Sequence, residues 1–223
     1  MLSNKDQSFS ANAGLEHALK LLQKVSFEPH KLPKKCPNSG LGELETMELL
    51  APHVLGRAAR LDRSHALAHM DPPTPWITWV AALWNASLNQ NLLHPATAPF
   101  AIEAEKLVID WLTPFFEMNG GHLCSGSTLA NLTSLWAARD AAGIKRVVAS
   151  KASHLSIKKA ARILGLSYEE IPTNSKGQID VEQLKNISDA CLVLTAGTTS
   201  TGSIDSLKLA GKAKWTHVDA AWA

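Results

Sequence analysis

Residues 127–171, STLANLTSLWAARDAAGIKRVVASKASHLSIKKAARILGLSYEEI, decide the fold class. A helix is predicted over Thr128–Ala142 with Gly143 closing it, then a strand over Arg146–Ser150. A second helix over Ser153–Leu164, closed by Gly165, leads to a second strand, Ser167–Ile171. Each glycine sits where the chain leaves a helix through the left-handed region, which glycine enters without steric cost. Helices and strands alternating at these lengths argue for a largely parallel sheet, because a helical crossover returns the chain to run in the same direction.

Working outward, Asp180 followed three residues later by Gln183 forms a capping box and predicts another helix. Two apolar strand runs follow, Ala190–Thr195 and Trp215–Asp219. Toward the N-terminus the pattern is helical. Leu15, Ala18, Leu19, Leu22 and Val25 recur at helical spacing, and Pro29, Pro33, Pro37, Gly40 and Gly42 make an irregular connector. Helices are predicted from Leu44 to about Ala59, from Trp76 to Asn91 and from Ala101 to Leu112, with a loop over Arg63–Pro75 and Pro114 ending the last helix. Ile102, Leu107, Val108, Trp111 and Leu112 form its apolar stripe, and Leu129, Leu132 and Trp136 share a face of the helix after it. The predicted architecture is an N-terminal helical arm and connector over residues 1–62 and an α/β domain over residues 63–223.

Composition narrows the function class. With 223 residues, 45% of them apolar, the chain has enough material for a substantial core. Its net charge is +2 and its 22 basic residues are scattered, so no nucleic-acid footprint is expected. Cys36, Cys124 and Cys191 lie far apart, which points to neither a disulfide framework nor a zinc knuckle, and a reducing, cytoplasmic setting is expected. The first residues lack the apolar core of a secretory leader, and the most apolar window, Trp76–Leu88, is too short for a membrane span.

Several segments carry residues suited to chemistry. Gly126-Ser127-Thr128 turns into a helix, so free N–H groups and two hydroxyls converge on its positive end. That is an anion site, or simple N-capping by Ser127 or Thr128. The stretch Gly121 to Thr128 nearly spells a nucleotide-binding P-loop, but Ser127 stands where the lysine is needed. His154 follows a strand at the carboxyl edge of the sheet, where open α/β folds bind ligands, and Ser156 completes a His-x-Ser pattern. Lys158 and Lys159 belong to a solvated face. Gly197-Thr198-Thr199 also follows a buried strand and is rich in hydroxyls, while Asp205 reads equally well as the cap of a following helix. Asp219 ends the Trp215–Asp219 strand, and a carboxylate placed there must be neutralised or meet a cation. His65, His69 and Asp71 imitate a metal site, but the prolines around them and the missing third histidine argue against it, and no metal is expected.

Taken in order, Gly121-His-Leu-Cys-Ser-Gly126-Ser127-Thr128-Leu-Ala-Asn131, Ser153-His154-Leu-Ser156, Thr195 to Asp205 and Trp215 to Ala223 resemble the group II pyridoxal-phosphate-dependent amino-acid decarboxylases, whose members act on glutamate, aromatic amino acids or diaminobutyrate. The resemblance runs from about His65 to Ala223. It implies a fold-type I large domain, three layers α/β/α around a mostly parallel sheet, with pyridoxal 5'-phosphate as cofactor and an L-amino acid as substrate. It implies a phosphate seat at Gly126, Ser127 and Thr128, and His154 stacked on the pyridine ring. Thr199 would lie beside that ring, Ala221 under it, and Asp219 against its protonated nitrogen. His154 and Asp219 are the catalytic candidates. The loop through Pro72, Pro73 and Pro75 resembles the segment framing the substrate entrance, and Asn89-Gln90-Asn91 a stretch near the interface of the family's homodimer.

Two departures from the family pattern carry expectations of their own. The interval from Asp205 to Asp219 is several residues short, so the helix there should be clipped. No lysine has the family's Schiff-base context, so that lysine, the remaining strands and the small domain are expected to lie beyond Ala223, leaving the sheet truncated and the Trp215–Asp219 strand at its edge. The alternatives are a catalytically inactive remnant acting only in binding or chain association and, more remotely, another fold-type I enzyme such as an aminotransferase.

Overall fold

A computed structural model describes residues 11–24, 26–28, 31–36, 38–63, 66 and 73–222. Val25, Pro29, Pro37, His65, His69, Asp71 and Pro72 lie outside the described residues. The chain divides into two compact units, one ending at Asn89 and one beginning at Gln90.

The first unit holds α1 (Ala11–Gln23), α2 (Glu43–Val54) and α3 (Trp76–Leu88). Leu21 of α1 and Ala51 of α2 are buried, and His17 Nε2 of α1 lies 2.8 Å from a Glu48 carboxylate oxygen of α2. α3 stops before the predicted Asn91, because Asn89 takes the left-handed conformation and its N–H closes on the Asn85 carbonyl. Trp76, Trp79 and Trp84 of α3 are exposed.

The second unit begins with α4 (Pro99–Leu112), which runs into a 3-10 turn, Thr113–Phe116. The expected apolar stripe is present but uncovered: Leu107, Val108, Trp111 and Leu112 are all exposed. The alternating region follows as α5 (Ser127–Ala142), β1 (Arg146–Ser150), α6 (Leu155–Ile163), β2 (Ser167–Ile171), β3 (Cys191–Thr195) and β4 (Trp215–Asp219). Gly143 and Gly165 have φ of 64° and 69°, the left-handed exits that their positions predict. All strand pairs are parallel, in the order β2-β1-β3-β4. β4 pairs in full register with β3, Cys191 against Trp215 through Thr195 against Asp219, and is an edge strand.

Two cores flank the sheet. On one face Leu135, Ala138, Ile157, Ala160 and Ala161 of α5 and α6 pack on Val147, Ala149, Cys191 and Val193. On the other, Val148, Leu192 and Leu194 are covered by Ile179 and Ala190 from irregular connections and by Leu209 from a 3-10 turn, with no α-helix on this face among the described residues. The fifteen residues named as buried here, at roughly 1.5–3 kcal/mol for each large apolar side chain, are the main source of cohesion.

Three sequence expectations are corrected. The capping box at Asp180 yields only a 3-10 turn, Val181–Gln183. The Asp180 side chain does accept from the Glu182 N–H, but Leu184 is extended and Asn186 has φ of 48°. Arg146 holds this segment in its own geometry, its Nη2 donating to the Asn186 carbonyl and to Asp189, each at 2.6 Å. One nucleated turn without propagation is unstable as a helix, so tertiary bonds win. The buried face of α5 is Asn131, Leu135 and Ala138, whereas Leu129 and Trp136 are exposed. Asp205 is not a helix cap. It is 2% exposed, with Oδ1 accepting from the Ile179 N–H at 2.6 Å and Oδ2 from the Thr195 N–H at 2.8 Å. The connection from Asp205 to β4 contains a single 3-10 turn, Leu207–Leu209, and no α-helix.

Candidate active site

The order β2-β1-β3-β4 makes the chain leave β1 toward one side of the sheet and return on the other, so the loops after β1 and β3 diverge. Crevices at such switch points, outside the carboxyl ends of parallel strands, receive ligands. The loop after β1 touches the end of β3 through Ser153 Oγ and Thr195 Oγ1, 3.1 Å apart. Asp219 lies at the same edge, one strand further along.

α5 points its start toward solvent. Gly126 is the N-cap, with φ of 167° and ψ of 163°, and no side chain caps the helix. The capping alternative for Ser127 and Thr128 is therefore set aside. The Gly126 carbonyl accepts from the N–H groups of Leu129 and Ala130, while those of Ser127 and Thr128 have no acceptor among the described residues. Exposed hydroxyls of Ser127 and Thr128 stand beside them. Free N–H groups at the positive end of a 16-residue helix are a place where anions bind.

One turn into α5, Asn131 is 4% exposed and joins β4 to the first turn of α6. Its Nδ2 donates to Asp219 Oδ2 at 3.0 Å and to Ser156 Oγ at 2.9 Å, and its Oδ1 is 2.8 Å from His217 Nε2. Ser156 Oγ lies 2.8 Å from His154 Nδ1, which also accepts from the Ser156 N–H. His154 is the N-cap of α6 and its ring is exposed at the crevice. Asp219 is 7% exposed; its Oδ1 accepts from the Ala221 N–H at 3.3 Å, and its carbonyl accepts from the Ala196 N–H. No Lys, Arg or His forms an ion pair with Asp219 among the described residues. Burial lowers the pKa of the His217 imidazole from its ordinary range, and the negative charge of Asp219 opposes that shift only in part.

The structure thus joins His154, Asp219 and the backbone of Ala221 in one hydrogen-bonded chain, with Gly126, Ser127 and Thr128 one turn below Asn131 on the same helix. Thr199 is exposed on the loop after β3 and has no hydrogen bond to this chain. Its neighbour Thr198 is buried, its hydroxyl 2.8 Å from that of Thr201 and accepting from the Ser203 N–H. Gly197, at φ 99°, lets the loop pass close to the segment after β4: a Cβ there would stand 3.2 Å from the Trp222 carbonyl oxygen.

Sequence reasoning missed Asn131 and His217 as site residues. Both carried a signal. Asn131 is a polar residue in register with Leu135 and Ala138 on a buried helix face, and His217 alternates with Asp219 on one face of β4. No group of three or more His, Cys, Asp or Glu suited to a metal occurs among the described residues, and none of their helices is long and apolar enough to cross a membrane.

The chain resembles known proteins along nearly its whole length. Residues 30–223 match the pyridoxal-dependent decarboxylase conserved domain. An L-2,4-diaminobutyrate decarboxylase from Acinetobacter baumannii is 26% identical over 89% of this chain and 46% of its own length. An aromatic-L-amino-acid decarboxylase from Bacillus atrophaeus is 27% identical over 86% of this chain and 45% of its own. The chain spans about half the length of the curated relatives it matches. Among solved structures, the glutamate decarboxylase domain of a Vibrio parahaemolyticus protein aligns with a TM-score of 0.79 at 24% identity, covering 100% of this chain and 60% of that one. A TDC structure from Oryza sativa aligns at 0.77 and 22%, over 98% and 55%. These last two establish the fold. With the domain match over residues 30–223, the chain belongs to the pyridoxal-dependent decarboxylase family.

Proposed function

We propose that these residues form the cofactor-recognition part of a pyridoxal-phosphate-dependent L-amino-acid decarboxylase, a carboxy-lyase. The observation that carries this reading is Asp219, a buried carboxylate at the carboxyl edge of the sheet with no cationic partner among the described residues. A buried charge requires a partner, and a protonated pyridine nitrogen fits an acceptor-only group. The donor set fits the rest of the cofactor. The α5 N-terminus, with Gly126 and the hydroxyls of Ser127 and Thr128, would hold the phosphate. His154 would face the ring, with Thr199 beside it and the small Ala221 beneath. Bound there, pyridoxal phosphate supplies an electron sink for the charge left when carbon dioxide departs.

The residues of the chain do the rest. Asp219 holds a proton at the ring nitrogen, which keeps that sink effective. The exposed His154 ring orients the face at which substrate arrives. The test is titration with pyridoxal phosphate followed by absorbance, with Asp219→Ala alongside. Saturable binding weakened at least about tenfold in the variant is expected, since a charge-assisted hydrogen bond is worth about 1.5–3 kcal/mol. Identical curves for the two proteins refute the assignment.

Pairing with a second copy and a cytoplasmic setting belong to the same proposal. The exposed face of α4, with Leu107, Trp111 and Leu112, supports pairing, because apolar surface of this kind is costly to leave in water. Light scattering after size exclusion tests it, and a monomer at all concentrations refutes it.

A further inference from the structure

We propose that Asn131 is a positioning residue that wires Asp219 to both histidines of the site, fixing where each imidazole carries its proton. The argument is one of donors and acceptors. A carboxylate only accepts, so the Asn131 amide must turn its NH2 toward Asp219 Oδ2, 3.0 Å away. Both amide hydrogens are then spent, on Asp219 and on Ser156 Oγ at 2.9 Å. The amide oxygen is left facing His217 Nε2 at 2.8 Å, so that nitrogen donates. Neutral His217 therefore carries its proton on Nε2 and leaves Nδ1 bare. Ser156 Oγ, accepting from Asn131, directs its own hydrogen to His154 Nδ1 at 2.8 Å, where the Ser156 N–H also arrives. His154 then carries its proton on Nε2, the nitrogen free to face the crevice.

The same arrangement keeps His217 from pairing directly with Asp219. The two alternate on one face of β4, and the neutral amide of α5 stands between them. α5 presents Asn131 to His217, and β3 presents Val193 at its register position. Asp219, on its own strand, is the charge that acts on it among the described residues. Asn131 thus leaves the carboxylate open on one side for a cation from outside the chain. This rests on the reading of Asp219 given above.

The experiment is long-range 1H–15N correlation of the histidine rings in the 223-residue chain without pyridoxal phosphate, for the wild type, Asn131→Ala and Ser156→Ala. In the wild type both rings are expected as Nε2–H tautomers. Asn131→Ala should shift the Nε2 resonance of His217 and the ring nitrogens of His154 together. Ser156→Ala, which leaves the Asn131 contacts to Asp219 and His217 in place, should move His154 alone. Wild-type ring shifts in folded Asn131→Ala overturn the inference. Should that variant fail to fold, Ser156→Ala decides: an unmoved His154, or a His217 that moves with it, overturns the wiring. Because the rings are read without cofactor, failure of the pyridoxal reading appears separately, in the titration with pyridoxal phosphate.

Discussion

Replacing Asp205 by alanine should cost more than any surface change in the second unit. Its carboxylate ties the end of β3 to Ile179, accepting from the Thr195 N–H at 2.8 Å and the Ile179 N–H at 2.6 Å, at a position 2% exposed. Alanine removes both acceptors and leaves two buried donors. Each such orphan costs about 1–3 kcal/mol, so the expected loss is about 4 kcal/mol. Domains of this size have only about 5–15 kcal/mol in total. Urea unfolding followed by tryptophan fluorescence reads the change, and with a slope of about 2 kcal/mol per molar the midpoint should fall by about 2 M. Asp205→Asn keeps one acceptor oxygen and turns an NH2 toward the other donor, so its loss should be about half as large. A midpoint within about 0.3 M of wild type for the alanine variant would refute the claim that this carboxylate clamps the loop after β3.

Gly197→Ala should destabilise by about 1–3 kcal/mol, because alanine at φ 99° is strained and its Cβ would press on the Trp222 carbonyl at 3.2 Å; urea midpoints measure this. His217 sets an acid limb. Its folded pKa lies below the ordinary 6.5, so the unfolded chain binds a proton first as pH falls, and stability should drop from about pH 6.5 downward until the folded ring also titrates. His217→Gln should flatten that part of the stability profile, and an unchanged slope would show that other groups govern it. Tyr168, the single tyrosine, is pushed up to about 12 by burial and then by the charge of Glu170. Its ultraviolet titration should therefore have a midpoint near 12 in the folded chain and near 10 in urea. Because the unfolded phenol ionises first, its contribution to stability should fade between those two values.

How legible the molecule was depends on how local the determining interaction is. β1, β2 and β4 appear at their expected bounds: β1 and β4 are short runs rich in β-branched and apolar residues, and β2 follows directly on the glycine exit of α6. The helix ends at Gly143 and Gly165 were readable for the same reason. Asp180 misled because its cap is real but Arg146, 34 residues earlier in the chain by number, claims Asn186 and Asp189 for the sheet end. In the site, His154 and Asp219 could be singled out as candidates because one follows β1 and the other ends β4. Asn131 could not, since its role exists only once α5 lies over the ends of β4 and α6. The α5 face was misassigned for a related reason: Trp136 looks like core by hydropathy, yet its indole N–H reaches Asp140 at 2.6 Å on the exposed side.

The bond from Asn131 to Asp219 spans 88 residues. A loop of that length closes slowly compared with the local pairing of β1, α6 and β2, because its entropy must be spent before the contact returns anything. The site is therefore a late product of folding. A chain that has formed only its first βαβ element possesses a stable-looking sheet and a seated His154, but no aligned carboxylate. Cofactor binding through Asp219 would then report that β4 has docked on β3.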